Sequence, residues 1–154
     1  MDFRKQSVIF QNAKRVEDRL SPMNIVNRMM ENDPFIPWLG IEVQEADAGY
    51  SRLSMRVREE MLNGFGIAHG AISFALADSA LAFASNGHGN HALSIDCAIN
   101  HLLPVKQGEE LIATARQQTH GKSHGLYLVE VHNASGALVA MFKGMVYLKS
   151  ASWK

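Results

Sequence analysis

The chain has 154 residues, 47% of them hydrophobic and 19% charged, with 15 basic and 15 acidic side chains and a formal net charge of zero. This suits a single compact domain, long enough to bury roughly two-thirds of its unfolded surface without disulfides or a structural metal. Balanced charge excludes a broad electrostatic footprint for nucleic acid or an anionic membrane, and a lone cysteine, Cys97, excludes an internal disulfide framework and points to a reducing cytoplasm.

The opening run MDFRKQSVIFQNAKRV has a short apolar patch but neither a continuous hydrophobic region nor a small-residue cleavage site, so it reads as an extension and not a signal peptide. Ser21 followed by Pro22 is a helix start, and PMNIVNRMME predicts a short helix over Pro22 to Glu31, ended by Asn32, Pro34 and Pro37. Ile41 to Val43 then leads through a turn at Asp47 to Gly49 into a second strand. There Leu53, Met55 and Val57 alternate with Arg52, Ser54, Arg56 and Arg58, the pattern of a half-exposed antiparallel hairpin.

Between Gly70 and Ser85 the sequence turns alanine-rich and apolar on nearly every side, as in a helix enclosed by other elements. Its most apolar part, Ala71 to Ala84, is interrupted by Ser73, Asp78 and Ser79 and is shorter than the ~20 residues a bilayer span needs. NGHGN, Asn86 to Asn90, ends it. Strands follow. Leu93, Ile95, Cys97 and Ile99 are expected on one face of the first, with Ser94, Asp96 and Asn100 on the other. Three more are expected at about Glu110 to Thr119, Leu126 to His132 and Leu138 to Leu148, joined by turns at His120 to His124 and Asn133 to Gly136. Strands, one apolar helix, then strands with short turns give an α+β fold, an antiparallel sheet packed on a single helix.

Asp78 is the most informative residue, because a carboxylate amid Ala77, Ser79, Ala80 and Leu81 has to be partnered or take up a proton. It either faces a solvated gap and serves structure, or does chemistry. Upstream, NGFGIAHG (Asn63 to Gly70) delivers the chain to the start of the same helix. Unpaired N–H groups and the helix dipole there can hold an oxyanion near Gly70, and Asn63 adds a side-chain donor. Gly64 and Gly66 are also explained by turn chemistry alone. Gly70 and Asp78 lie about 12 Å apart along one helix, so both reach the same carbon only if one comes from a second chain across a two-fold axis. A catalytic role thus predicts a homodimer.

The runs NGFGIAHGAISFALADSALAFASN, PFIPWLGIEV, INHLLPVKQGEELIATA and VEVHNASGALVA resemble the hotdog-fold thioesterases of the phenylacetic acid degradation type. The resemblance covers about Asp33 to Leu148. It implies a sheet wrapped around one long helix, hydrolysis of acyl-CoA or aryl-CoA thioesters at a dimer interface, tetramers built from those dimers, and no cofactor beyond the coenzyme A of the substrate. Residues 21–150 then form one hotdog domain and residues 1–20 an extension. The resemblance assigns Asp78 as nucleophile or general base, the Gly70 N–H as oxyanion donor, Asn63 as a positioning group and Ser94 as a residue that helps place the attacking water. His69 belongs to a motif whose second glycine is Ala71 here, which implies tighter packing at the helix start. A histidine at a helix entrance fixes local backbone by hydrogen bonds, and that role is preferred for His69 over proton transfer.

Gly121, Lys122 and Ser123 form a basic turn suited to a nucleotide phosphate of coenzyme A, or else a solvated hairpin lysine. The pairs His88 with His91 and His120 with His124 lack a third ligand, so no metal is expected. GxGxxxG at Gly64 to Gly70, without a parallel βαβ context, is no dinucleotide fingerprint. Met61, Leu62, Phe65, Phe74, Leu81 and Phe83 offer apolar walls, and spacing does not separate cavity from core. The alternative is a hotdog module that binds acyl-CoA without hydrolysing it; a dehydratase is disfavoured by the separation of His69 from Asp78.

Overall fold

The computed structural model describes residues 20–154. The proposed extension therefore lies almost wholly outside the described residues. Helix α1 spans Pro22–Met30, and its cap is the expected one: the Ser21 hydroxyl accepts from the Asn24 N–H. A second helix, α2 (Phe35–Leu39), stands where the prolines were expected only to end α1. Asp33 accounts for it, since its Oδ1 accepts from the N–H groups of Phe35 and Ile36. Pro37 falls within the first turn, where its missing N–H costs nothing. Gly40 ends α2 with φ 72°, a conformation that favours glycine.

Strands β1 (Glu42–Asp47) and β2 (Tyr50–Arg56) form the expected hairpin. Strand β2 is less exposed than its alternation implied, because Ser51 and Ser54 are buried along with Leu53 and Met55. Ser51 Oγ donates to the Ala80 carbonyl at 2.7 Å, tying the strand to the long helix α3 (Gly70–Asn86). Then come β3 (Asn90–His101), β4 (Glu110–His120), β5 (His124–Asn133) and β6 (Leu138–Ser152). The six strands pair antiparallel in the order β1-β2-β4-β5-β6-β3, and α3 packs against them.

The core lies between helix and sheet. Leu76, Ala77, Ala80, Leu81 and Ala84 of α3 are fully buried, as are Leu111 and Ala113 of β4, Tyr127 and Val129 of β5 and Phe142 of β6. Gly144 on β6 marks the closest approach, because a methyl group there would collide with Leu81. That is what the alanine-rich sequence of α3 achieves: small side chains let the sheet curve tightly around it. Among the described residues, no helix is long and apolar enough to cross a membrane.

Strand β3 departs from simple alternation. Its pairing with β6 slips between Ser94 and Asp96, leaving Ile95 as an extra residue. The bulge changes which residues share a face. Ala92 is buried, Cys97 and Ile99 pack on the core, and Ser94 lies on the same side as Cys97, near Asp78 of α3. The expected grouping of Leu93 and Ile95 with Cys97 and Ile99 is therefore incorrect, since a period-two reading cannot register an inserted residue. Leu93 and Ile95 are 53% and 54% exposed, on a strand that ends the sheet.

Candidate active site

The loop before α3 is fastened on both sides. Asn63 Oδ1 accepts from Phe65 N–H at 2.9 Å, and the Asn63 N–H donates to the Ile67 carbonyl at 2.8 Å, closing a turn that Gly66 enters with φ 72°. Ala68 N–H donates to Val105 and His69 N–H to Met61, both at 2.8 Å. His69 is the helix cap: its Nδ1 accepts from Ala71 N–H at 3.0 Å, and its carbonyl accepts from Ile72 N–H at 2.9 Å. That leaves the Gly70 N–H without an acceptor among the described residues, at the helix end where the dipole is positive. Ala71 is exposed, so its methyl does not tighten packing within the subunit.

Gly70 opens on a cleft of about 420 Å³ that Asn63, Ser73 and His101 also line. Its apolar walls come from Ile67, Leu102, Leu103, Val105, Leu111 and Val139. None of the six residues offered as walls by the sequence lines this cleft. Met61, Leu81 and Phe83 are core, Phe74 packs edge-on against Phe142, and Phe65 is 91% exposed. His101 was missed as well. A histidine at the end of a strand carries no sequence signal, and only the fold brings it against Gly70.

Asp78 lies two turns further along α3, half-buried, and the bulge in β3 supplies its partners. Cys97 Sγ–H donates to Asp78 Oδ1 at 3.8 Å, and the Ser94 side chain stands near enough to the carboxyl group to favour its charged form. Burial raises the Asp78 pKa above the usual carboxylate value, and the Cys97 and Ser94 side chains pull it part of the way back. The Cys97 thiol is pushed up to about 11, first by burial and then by the negative charge of Asp78, so it stays protonated and keeps donating. The structure thus brings Ser94 to Asp78, but holds Gly70 and Asn63 at the far end of the helix within the same chain.

The turn of Gly121, Lys122 and Ser123 is exposed and closed by Gly121 N–H donating to His124 at 2.8 Å. It stands at the end of the sheet where Ser94, Val146 and Gly125 are aligned across β3, β6 and β5, away from His101 and Gly70. The two histidine pairs are split differently from the sequence grouping: His88 stacks on His120 and His91 on Trp153. Among the described residues, no three His, Cys, Asp or Glu side chains are placed to hold a metal ion.

The arrangement has relatives. A model of the thioesterase superfamily matches residues 65–140, the stretch that holds Gly70, Asp78 and Ser94. The acyl-coenzyme A thioesterase PaaI of Escherichia coli is 40% identical over 116 residues, 75% of this chain and 83% of its own. The chain belongs to the thioesterase superfamily. Within the superfamily, human acyl-coenzyme A thioesterase 13 is 32% identical over 103 residues, covering 65% of this chain and 74% of its own. The solved structure of E. coli PaaI superposes with a TM-score of 0.83 at 35% identity, covering 85% of this chain and 95% of that one. The fold is the hotdog fold, as the resemblance implied.

Proposed function

We propose that this chain is an acyl-CoA thioesterase whose active site forms between two subunits, with Asp78 of one facing Gly70 of the other. The observation that carries the reading is the pairing of an unclaimed Gly70 N–H with a partly desolvated carboxylate, Asp78, on one helix of a thioesterase-superfamily chain. Separated by about 12 Å, the two cannot act on one carbon from a single chain. The exposed apolar edge of β3, with Leu93 and Ile95 beside a ladder that no other described strand pairs, is the surface a second copy would cover, since such an edge left bare invites aggregation.

In this reading the thioester carbonyl oxygen accepts from the Gly70 N–H. Asp78 either attacks the carbonyl carbon or takes a proton from a water that does. The electron pair of the carbonyl moves onto its oxygen, and on collapse the carbon–sulfur bond breaks and coenzyme A leaves as the thiolate. Ser94 stands near the carboxyl group and helps place the water. Asn63 and His69 shape the loop that presents Gly70, while Gly121, Lys122 and Ser123 offer an anion site to the coenzyme's phosphates. No cofactor besides the coenzyme A of the substrate takes part, and tetramers follow if the dimers pair again.

The test is thiol release from a panel of aryl-, short-chain and medium-chain acyl-CoA thioesters, ranked by kcat/KM. Hydrolysis that Asp78→Asn abolishes supports the reading. A wild-type protein that binds these thioesters without cleaving any of them is instead a binding module.

A further inference from the structure

Two polar side chains on the cleft, Ser73 and His101, are unused by the reaction proposed above. His101 is exposed, lines the cleft beside Gly70 and is fastened to the first turn of α3. Its Nδ1 lies 3.2 Å from the hydroxyl of Ser73, a buried residue of that turn. Its Nε2 lies over Gly70, so close that a Cβ on residue 70 would come within 2.9 Å of it. A larger residue there would have to displace the imidazole above it, while the backbone angles of Gly70 itself are helical.

The Ser73 hydroxyl has one proton and two neighbours, His101 Nδ1 and the Gly70 carbonyl, each at 3.2 Å. The carbonyl already has the helix's own N–H from four residues on. The contact with Ser73 fixes the plane of the ring, and Nε2 is the nitrogen that faces Gly70 and the cleft, where its N–H can donate. A histidine serving packing alone would be expected to bury that edge. Here it is open to whatever occupies the cleft.

We infer that His101, oriented by its contact with Ser73 and carrying a proton on Nε2, is a second hydrogen-bond donor to the substrate's carbonyl oxygen, converging on it with the Gly70 N–H. The inference rests on the thioesterase reading. The imidazole edge and Gly70 line the same cleft, with Nε2 beside the residue whose N–H would hold the oxygen, and the negative charge that gathers on that oxygen during attack uses a second lone pair. No proton changes hands: both donors hold the oxyanion until it re-forms the carbonyl. The bond strengthens as charge develops, so it acts on kcat more than on KM.

The experiment measures kcat and KM of the full-length protein for its best thioester, with His101→Phe, His101→Gln and Ser73→Ala. His101→Phe keeps a ring over Gly70 without the donor and is expected to lower kcat by about 10²-fold while KM moves by less than about threefold. His101→Gln, which retains an N–H, is expected to recover most of that loss, and Ser73→Ala to fall between. A kcat for His101→Phe within about twofold of wild type, a loss confined to KM, or Gln no better than Phe overturns the inference. Asp78→Asn is run alongside: if it keeps full turnover, the Asp78 reading fails while the His101 result stands on its own kcat. If the wild type cleaves no thioester, the ketone analogue with a methylene in place of sulfur replaces it. Tighter binding to wild type than to His101→Phe then supports the donor, and equal affinity overturns it.

Discussion

The two ends of α3 are built from similar residues and left in opposite states. At the C-terminal end, Asn86 is buried and fully bonded. Its Nδ2 donates to the carbonyls of Ala82 and Ala92 at 2.9 and 3.0 Å, and its Oδ1 accepts from Ala92 N–H and Trp153 Nε1–H at 3.0 and 2.8 Å. Gly87 is pressed against the Asp47 carbonyl, where a Cβ would come within 2.6 Å. At the N-terminal end, Gly70 N–H has no acceptor among the described residues, and Gly70 lines a cleft. One end holds the helix in the fold; the other keeps a donor in reserve.

The largest expected effect breaks the open end. Gly70→Pro removes the N–H at the first helical position, where proline's φ fits although its Cβ would push the His101 imidazole aside, and Asp78→Asn removes the carboxylate; each is expected to lower turnover by at least about 10³-fold. If the site spans two subunits, mixing the two dead proteins and letting subunits exchange yields hybrids with one intact site. About a quarter of wild-type activity should return. No recovery despite exchange places the whole site in one chain. Asp78→Asn is also expected to raise the melting temperature at neutral pH. A carboxyl group whose folded pKa lies above its unfolded one weakens the fold once ionised, so the gain should shrink as pH falls through the raised Asp78 value.

The sealed end should behave in the reverse manner. Asn86→Ala strips partners from Ala92 and Trp153 and is expected to cost about 2–4 kcal/mol in denaturant unfolding, with kcat of the folded fraction near wild type. Equal loss of turnover would show that the two ends are coupled.

A smaller effect belongs to the middle of the helix. Activity needs Asp78 ionised, so the acid limb of kcat/KM should lie above the usual carboxylate range, and Cys97→Ala, which removes a bond favouring the charged form, should move it higher. Cys97→Ser keeps a donor and should leave the limb near its wild-type position. Smallest of all, Lys122→Ala should raise KM for CoA thioesters about threefold with kcat unchanged, as expected of one exposed charge on a phosphate, and added salt should erase the difference.

Much of this was legible in the residues. Alanine-rich composition and the NGHGN stop placed α3 within a residue of its observed end, and the oddity of a carboxylate in that run singled out Asp78. Helix α2 was not, because two prolines in PFIPWL look like punctuation until Asp33 is seen capping the turn. The surroundings of Asp78 were half legible: Ser94 was named through the resemblance, while Cys97 was set beside the wrong neighbours for want of the bulge. His101 and the cleft walls depend on where β3 ends relative to α3, a long-range fact that local pattern does not contain.

The extra residue at Ile95 makes the strand's tolerance of length changes uneven. Ser94 and Cys97 both look toward α3 although three positions separate them, and the pairing closes over Ile95 as if it were not counted. Losing Ile95 would leave every later side chain facing as before. Losing Ala98 would turn Ile99 and His101 outward and strip the cleft of its imidazole. A lineage can therefore shorten this strand at one point and keep its chemistry, while a cut three residues further on would rewrite what the substrate meets.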